Sequence, residues 1–332
     1  MKSDSRPATI YDVARHAGVS HQTVTRLLSG FEGIRPATRA RVEEAIQALE
    51  YRPNQAARLL RTNRSNRIGA LAHEMTKSGP SAVIQGASRR AHEAGYVLDI
   101  VIVDGYDDRS IRDALGVLER ERVAGILVTA QTEQMRQIFL SIPIKAPMQV
   151  GSHVDDEAGR HGLQRDTGRI AARHLIELGH RRILVIAGAR DWLSTQERLE
   201  GFESVCRDAG VETVIEYGDW SPESGYRIAL DLDLESGITA VFAQNDHMAL
   251  GAIRALHERG CEVPRDLSVV GVDDIPEARF LTPPLTTIAI DFEAEGRFAI
   301  DWLVSRIEST EPPKRERAPM PRLVTRESAR RF

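Results

Sequence analysis

Between Gly18 and Gly30 the chain reads GVSHQTVTRLLSG, with Ser20, His21, Gln22, Thr23, Thr25 and Arg26 as the polar positions before Leu27 and no acid in the stretch. These are the side-chain types that read nucleic acid. Gln pairs bidentately with adenine and Arg with guanine, while Ser and Thr hydroxyls reach phosphates. A second polar group lies far downstream, with Arg198, Trp220, Asn245 and Asp273 each following a short apolar run. A planar amide, a carboxylate and an aromatic face together suit a neutral polyol, whose hydroxyls pair with the first two and whose C–H groups lie on the third.

The first group needs helices to present it. Thr9 is placed to cap a helix over 10–17, with Ile10, Val13 and Ala14 facing inward and Gly18 ending it. Ser20 caps a second helix over 20–28 that turns Val24, Leu27 and Leu28 inward. A third follows Pro36 and carries Val42, Ala45, Ile46 and Leu49 on one face. Three helices, the first two joined by A-G-V-S, form the pattern of a helix-turn-helix, whose second helix enters the major groove. Charge points the same way. Residues 1–64 hold eleven Lys/Arg against six acids, a balance of +5 that leaves −9 for the rest of a chain with net charge −4. A basic head on an acidic body fits a polyanion partner for the head alone.

Pro53 stops the third helix, and Asn54 can cap a short new one ending near Leu60. A solvated linker has little use for the pair Leu59-Leu60, and Arg58, Arg61 and Arg64 beside it could neutralise phosphates.

From Arg67 apolar strand-like runs alternate with helical stretches: 67–72, 96–103, 124–129, 146–151, 181–188, 213–217, 238–243 and 267–274. Such alternation predicts an α/β body of doubly wound parallel sheets, and the length of the body with a break near 155–164 predicts two lobes. Ligands in such folds bind at the carboxyl ends of the strands. Asn245, Asp246, Asp273 and Asp274 fall at those ends; Asp246 reads more readily as a helix cap than as a ligand contact, and Asp274 equally well as a turn residue.

The motif Y-D-V-A-x-x-A-G-V-S-x-Q-T-V-x-R, followed by R-x-R-V-E-E-A-I-x-x-L-x-Y-x-P-N-x-x-A-R-x-L, resembles the headpiece and hinge of the LacI/GalR repressors, and the likeness runs along the whole chain. The resemblance implies a headpiece over 1–52, a hinge helix and linker over 53–66, and a periplasmic-binding-protein-like, two-lobed core over 67–332. It implies that His21, Gln22 and Arg26 read base edges, that Thr9, Ser20, Thr23, Thr25 and Thr38 anchor to phosphates, and that Tyr11, Asn54 and Ala57 also touch DNA. Leu60 is then a minor-groove wedge that kinks the central step together with its symmetry mate. It further implies a small effector, a sugar or sugar derivative, held by Asn245, Asp273, Arg198 and Trp220, with Ser194, Phe292 and Pro80 beside them.

The chain departs from the sugar-responsive member it most resembles at His21, where that member has Tyr, and in the pocket. There Ile290 stands for a Gln, Val150 or Gly151 for an Asp, and Lys77 for a Leu. The expected function is a transcriptional repressor that binds a palindromic operator as a homodimer and is released when the effector closes the lobes. DNA and effector then weaken each other by the same factor. First-lobe helices starting at Pro80 and Arg109 are the resembled dimer surface, and the tail KRERAPMPRLVTRESARRF has no leucine heptads for a tetramer. The same constellation suits a purine or other non-sugar ligand, acting as corepressor.

Other classes fit less well. An enzyme is disfavoured because no G-x-G-x-x-G, P-loop or G-x-S-x-G appears. No apolar run reaches the roughly 18 residues of a membrane span. MKSDSRPATI lacks an apolar signal core, so an exported binding protein is not expected. Cys206 and Cys261 have no metal or redox spacing and read as buried thiols of a cytoplasmic protein, with no cofactor. An architectural DNA binder without sequence preference would show comparable affinity for any duplex.

Overall fold

The computed structural model describes residues 8–28, 33–49, 51, 65–129, 131–150, 162–313 and 320–332. The chain divides into two compact units, Met1–Ser65 and Asn66–Phe332.

The first unit holds α1 (Ile10–Ala17), α2 (His21–Leu28) and α3 (Pro36–Ala48). Thr9 and Asp12 form a capping box: the Asp12 amide donates to the Thr9 hydroxyl (3.4 Å), and the Thr9 amide donates to the Asp12 carboxylate (2.9 Å). Gly18 ends α1 in the left-handed region at φ 63°, which glycine adopts without a Cβ penalty. The Thr23 amide donates to the Ser20 hydroxyl at 3.2 Å and so begins α2. Val13, Ala14, Ala17, Val24, Val42, Ala45 and Tyr51 form the core, with Leu27, Leu28, Ile46 and Leu49 packed around it.

In the second unit β1 (Arg67–Ala72), α4 (Ser78–Glu93), β2 (Val97–Ile102), α5 (Asp108–Arg120), β3 (Gly125–Val128), α6 (Glu133–Ser141) and β4 (Met148–Val150) form the first lobe. Its parallel sheet has the order β2-β1-β3-β4. The second lobe runs through α7 (Leu163–Glu177), β5 (Arg182–Ala187), α8 (Leu193–Asp208), β6 (Glu212–Tyr217), α9 (Pro222–Leu230), β7 (Ala240–Ala243), α10 (Asp246–Glu258), β8 (Ser268–Asp273) and β9 (Thr286–Ala289). α11 (Phe292–Glu308) and β10 (Arg322–Val324) follow, and the second sheet has the order β10-β9-β8-β7-β5-β6. It is parallel except for the β9–β10 pair.

Three features correct the sequence expectation. Thr286–Ala289 and Arg322–Val324 are additional strands, short and spaced unlike the alternating units before them. The lobes are also not consecutive in sequence: α11 follows β9 of the second sheet, yet its Ala299, Ile300, Leu303 and Ile307 pack with Ile68, Ala70, Ile84 and Ala87 of the first lobe. α4 and α5 begin at Ser78 and Asp108 rather than at Pro80 and Arg109.

Reciprocal glycines join three helix pairs at backbone distance. A Cβ on Gly86 of α4 would lie 2.0 Å from the Glu293 carbonyl oxygen, and one on Gly296 of α11 1.9 Å from that of Val83. Gly168 and Gly201 do the same for α7 and α8, and Gly225 and Gly251 for α9 and α10. Among the described residues no helix is long and apolar enough to cross a membrane.

Candidate functional site

The headpiece presents its polar face on α2. His21, Gln22 and Arg26 are exposed, and Thr23 and Thr25 are half-buried beside Val24, which anchors the helix to the core. No acid lies in the first turn of α2, which leaves the positive end of its dipole without an acidic side chain of its own. Tyr11 is 61% exposed, and its ring centroid lies 5.2 Å from that of His21. Ser20 and Thr23 hydroxyls are 3.0 Å apart. The Thr9 hydroxyl donates to Asp12 at 2.6 Å, so capping occupies it. Thr38 is half-buried in the first turn of α3. Asn54, Ala57 and Leu60, with the rest of 52–64, lie outside the described residues.

In the second unit a pocket opens between the lobes, and all seven residues expected there line it: Pro80, Ser194, Arg198, Trp220, Asn245, Asp273 and Phe292. Pro80, Ser194, Asn245, Asp273 and Phe292 come from helix starts and strand ends, Trp220 from the loop after β6 and Arg198 from the second turn of α8. Arg198 is 3% exposed and is held on every side. Its Nε donates to Gln164 Oε1 at 2.7 Å, its Nη1 donates to the Gln244 carbonyl, and its Nη2 lies 3.8 Å from Asp273 Oδ1. The guanidinium carbon also stands 5.6 Å from the Trp220 ring centroid.

Asp273 receives a hydrogen bond from the Ser78 hydroxyl at 3.3 Å, across the cleft from the first lobe. Its Oδ1 is buried without a hydrogen-bond partner. Burial pushes the carboxyl up to about 6, against the opposing pull of Arg198 and Ser78. Burial likewise lowers the pKa of Arg198.

Two pocket residues hold left-handed backbone without being glycine: Trp220 at φ 70° and Asp273 at φ 110°. Such conformations persist where the surroundings over-determine them. Asn245 caps α10 by accepting from the Met248 amide (2.8 Å) while its own amide donates to the Trp220 carbonyl (3.0 Å). The Trp220 indole lies over Gly188, where a Cβ would meet it at 2.1 Å. It also packs at 5.3 Å on Trp192. Trp220 thus serves the core and the pocket together.

Asp246 is not the cap of α10, a part that Asn245 plays. It is fully buried and accepts from the Ile275 amide (2.9 Å) and the Thr287 hydroxyl (2.6 Å), tying the ends of β8 and β9 to α10. Burial first, then the Asp273 charge, pushes its carboxyl to about 8. Asp274 is a turn residue at φ 58° that pairs with Arg326 at 2.5 Å. Ile290 belongs to the buried core of the second lobe and does not line the pocket; neither does Val150, and Gly151 lies outside the described residues.

Residues 9–54 match the model of bacterial regulatory proteins of the lacI family, and residues 172–329 match the periplasmic binding protein-like domain. The lactose operon repressor of Escherichia coli K12 is 32% identical over 305 residues, spanning 90% of this chain and 84% of that protein. The chain belongs to the LacI family. The HTH-type transcriptional repressor PurR of Vibrio atlanticus is 33% identical over 333 residues, covering 97% of this chain and 99% of its own. The crystal structure of the Lac repressor dimer bound to operator and the anti-inducer ONPF superposes with TM-score 0.78 at 29% identity, over 98% of this chain and all of that one. The protein is therefore a LacI-family DNA-binding transcriptional repressor with the periplasmic-binding-protein-like α/β core; its relatives are repressors and not enzymes.

In this LacI-family core, sequence reasoning missed several residues that share the pocket: Ser78, Gln131, Gln164, Trp192 and Glu295. Gln164 and Ser78 stand at or beside helix starts, and Glu295 is one turn along α11 from Phe292. Gln131 and Trp192 lie just before the helices that start at Glu133 and Leu193, and no periodicity in the sequence marks any of the five as pocket residues.

Proposed function

We propose that this repressor binds a palindromic operator as a homodimer and leaves it when a small sugar-like effector occupies the cleft. In this reading α2 lies in the major groove, with His21, Gln22 and Arg26 on base edges and Tyr11, Ser20, Thr23, Thr25 and Thr38 along the phosphates, while Thr9, its donors turned to Asp12, caps α1. Asn54, Ala57 and Leu60 belong to a hinge that reaches the minor groove. The seven cleft residues hold the effector. The observation that carries the proposal is the coexistence, in one chain, of an exposed, acid-free α2 face and a pocket built on the Arg198–Asp273 pair.

Dimer formation is supported by the first lobe. β2 is an edge strand, and its Val97, Ile100 and Ile102 are 41%, 46% and 69% exposed, with Val117 of α5 also exposed nearby in the chain. An exposed apolar edge invites a partner. The Lac repressor relative is a dimer on operator DNA with a small ligand bound, which supports the same arrangement here. The aromatic lining of Trp192, Trp220 and Phe292 also suits a stacked purine, the ligand class suggested by the name of the PurR relatives.

The test is selection of duplexes from a random pool by the full chain, followed by sequencing and release with candidate ligands. A palindromic consensus released by a sugar supports the reading. A pool with no common sequence overturns it, and tighter binding with a nucleobase replaces release by corepression.

A further inference from the structure

We propose that the effector carries, besides its hydroxyls, an anionic carboxylate or phosphate that Lys77 and the start of α4 recognise at the mouth of the pocket. This rests on the reading of the cleft as the effector site. Lys77 lines the pocket, and its Nζ donates to the Asp219 carbonyl oxygen of the opposite lobe at 3.1 Å. Among the described residues no carboxylate stands within ion-pair distance of it; the nearby Asp219 carboxylate accepts from the amide and hydroxyl of Ser221 instead. The Lys77 charge helps to lower the pKa of Asp219, but no carboxylate touches the ammonium, which leaves it open to an anion at the pocket mouth.

The backbone reinforces it. α4 starts at the pocket with Ser78, Gly79 and Pro80, has no capping side chain and has no acid in its first turn. α8 starts there too, again without a capping side chain or acid, and contributes Ser194. The start of α8 therefore faces the pocket without an acid of its own, and at the start of α4 the Asp273 carboxylate engages only the Ser78 hydroxyl, which leaves the backbone amides for a ligand.

A separate observation shows that a ligand is expected beside them. Asp273 Oδ1 lines the same pocket without a donor, on a side chain only 7% exposed. A buried carboxylate oxygen with no hydrogen bond calls for a hydroxyl. The other oxygen of Asp273 is held by Ser78, the residue next to Lys77, so the two recognition points are adjacent. Arg198 balances the Asp273 charge, which leaves the floor to hydroxyls and Lys77 to the anion.

The experiment is calorimetric titration of the full chain with pentoses and hexoses, their phosphates, their uronic and aldonic acids, and amino sugars. Wild type is compared with Lys77→Leu, Lys77→Arg, Asp273→Asn and Trp220→Ala. The inference expects an acid or a phosphate to bind at least tenfold more tightly than its neutral parent, with affinity falling as salt rises. Lys77→Leu should cost roughly tenfold, the worth of a charge-assisted hydrogen bond, and should abolish the salt dependence, while Lys77→Arg restores most of both. Which of the two classes binds identifies the anion. If a neutral or amino sugar binds as well or better and depends on Asp273, the cleft reading stands and the anion does not. If nothing binds, or binding ignores both Asp273→Asn and Trp220→Ala, both fall.

Discussion

The Arg198 guanidinium and the Asp273 carboxylate face each other at 3.8 Å, each with more than nine-tenths of its side chain buried. Of the influences on Asp273, the Arg198 charge is the first that favours ionisation. Arg198→Met should therefore raise the Asp273 pKa further above about 6 and cost roughly 3 kcal/mol, because one member of a buried pair is left alone. Urea unfolding and the pH profile of effector binding check the two halves. An unchanged profile would show that Asp273 does not titrate in the bound site.

Asp246 gives a pH dependence of known sign. Its folded-state pKa, about 8, lies above the ordinary 3.8. The folded chain thus keeps a proton that the unfolded chain loses. The stability from this group is full below about pH 4 and is lost as pH rises toward 8, by roughly a few kcal/mol. Asn mimics the protonated acid: its oxygen can accept from the Ile275 amide, and its amide can donate to Thr287 once that hydroxyl turns to accept. Asp246→Asn should match wild type near pH 5 and exceed it at pH 8 in thermal unfolding. Equal destabilisation at both pH values would mean that Asp246 is ionised in the fold.

The glycine crossings predict a contrast between two identical substitutions. Gly168→Ala places a methyl 2.0 Å from the Arg198 carbonyl oxygen, backbone that cannot swing aside. The expected cost is ~3 kcal/mol or more. Gly95→Ala meets nothing within 4 Å and pays only for its φ of 81°, about 1 kcal/mol. Denaturant titrations of the two variants should differ accordingly.

On α2, exposed Gln22 should read one base step. Gln22→Ala should lose ~1–3 kcal/mol of preference at a single position while leaving the salt slope of binding unchanged. Anisotropy titrations with operators substituted base by base would show it. A uniform loss across all sequences would make Gln22 a phosphate contact.

Local chemistry made much of this legible. Thr9 before Ile10 and Gly18 after Ala17 bracket α1 in the sequence as they do in the fold, because capping is a matter of a few neighbouring residues. Asn245 and Asp273 could be found because strand ends in parallel sheets face a cleft, and Arg198 because the family resemblance carried it there. Ser78, Gln164 and Glu295 could not, since their place depends on chain crossings between lobes that no periodicity records. The same crossing hid the return of α11 to the first lobe. Asp246 looked like a cap because it opens a helix; only its contact with Thr287, 41 residues away, reveals a buried acid.

The Gly86–Gly296 contact gives α4 and α11 a shared mechanical fate. Two helices whose backbones touch cannot slide past each other without lifting apart, so they tilt as one lever. The pocket end of that lever carries Lys77 and Ser78 on one arm and Phe292 on the other. Its shaft is buried against β1 through Ala299, Ile300 and Leu303. A molecule that moves either arm moves both, and the movement is delivered to β1, the strand from which the first lobe is built.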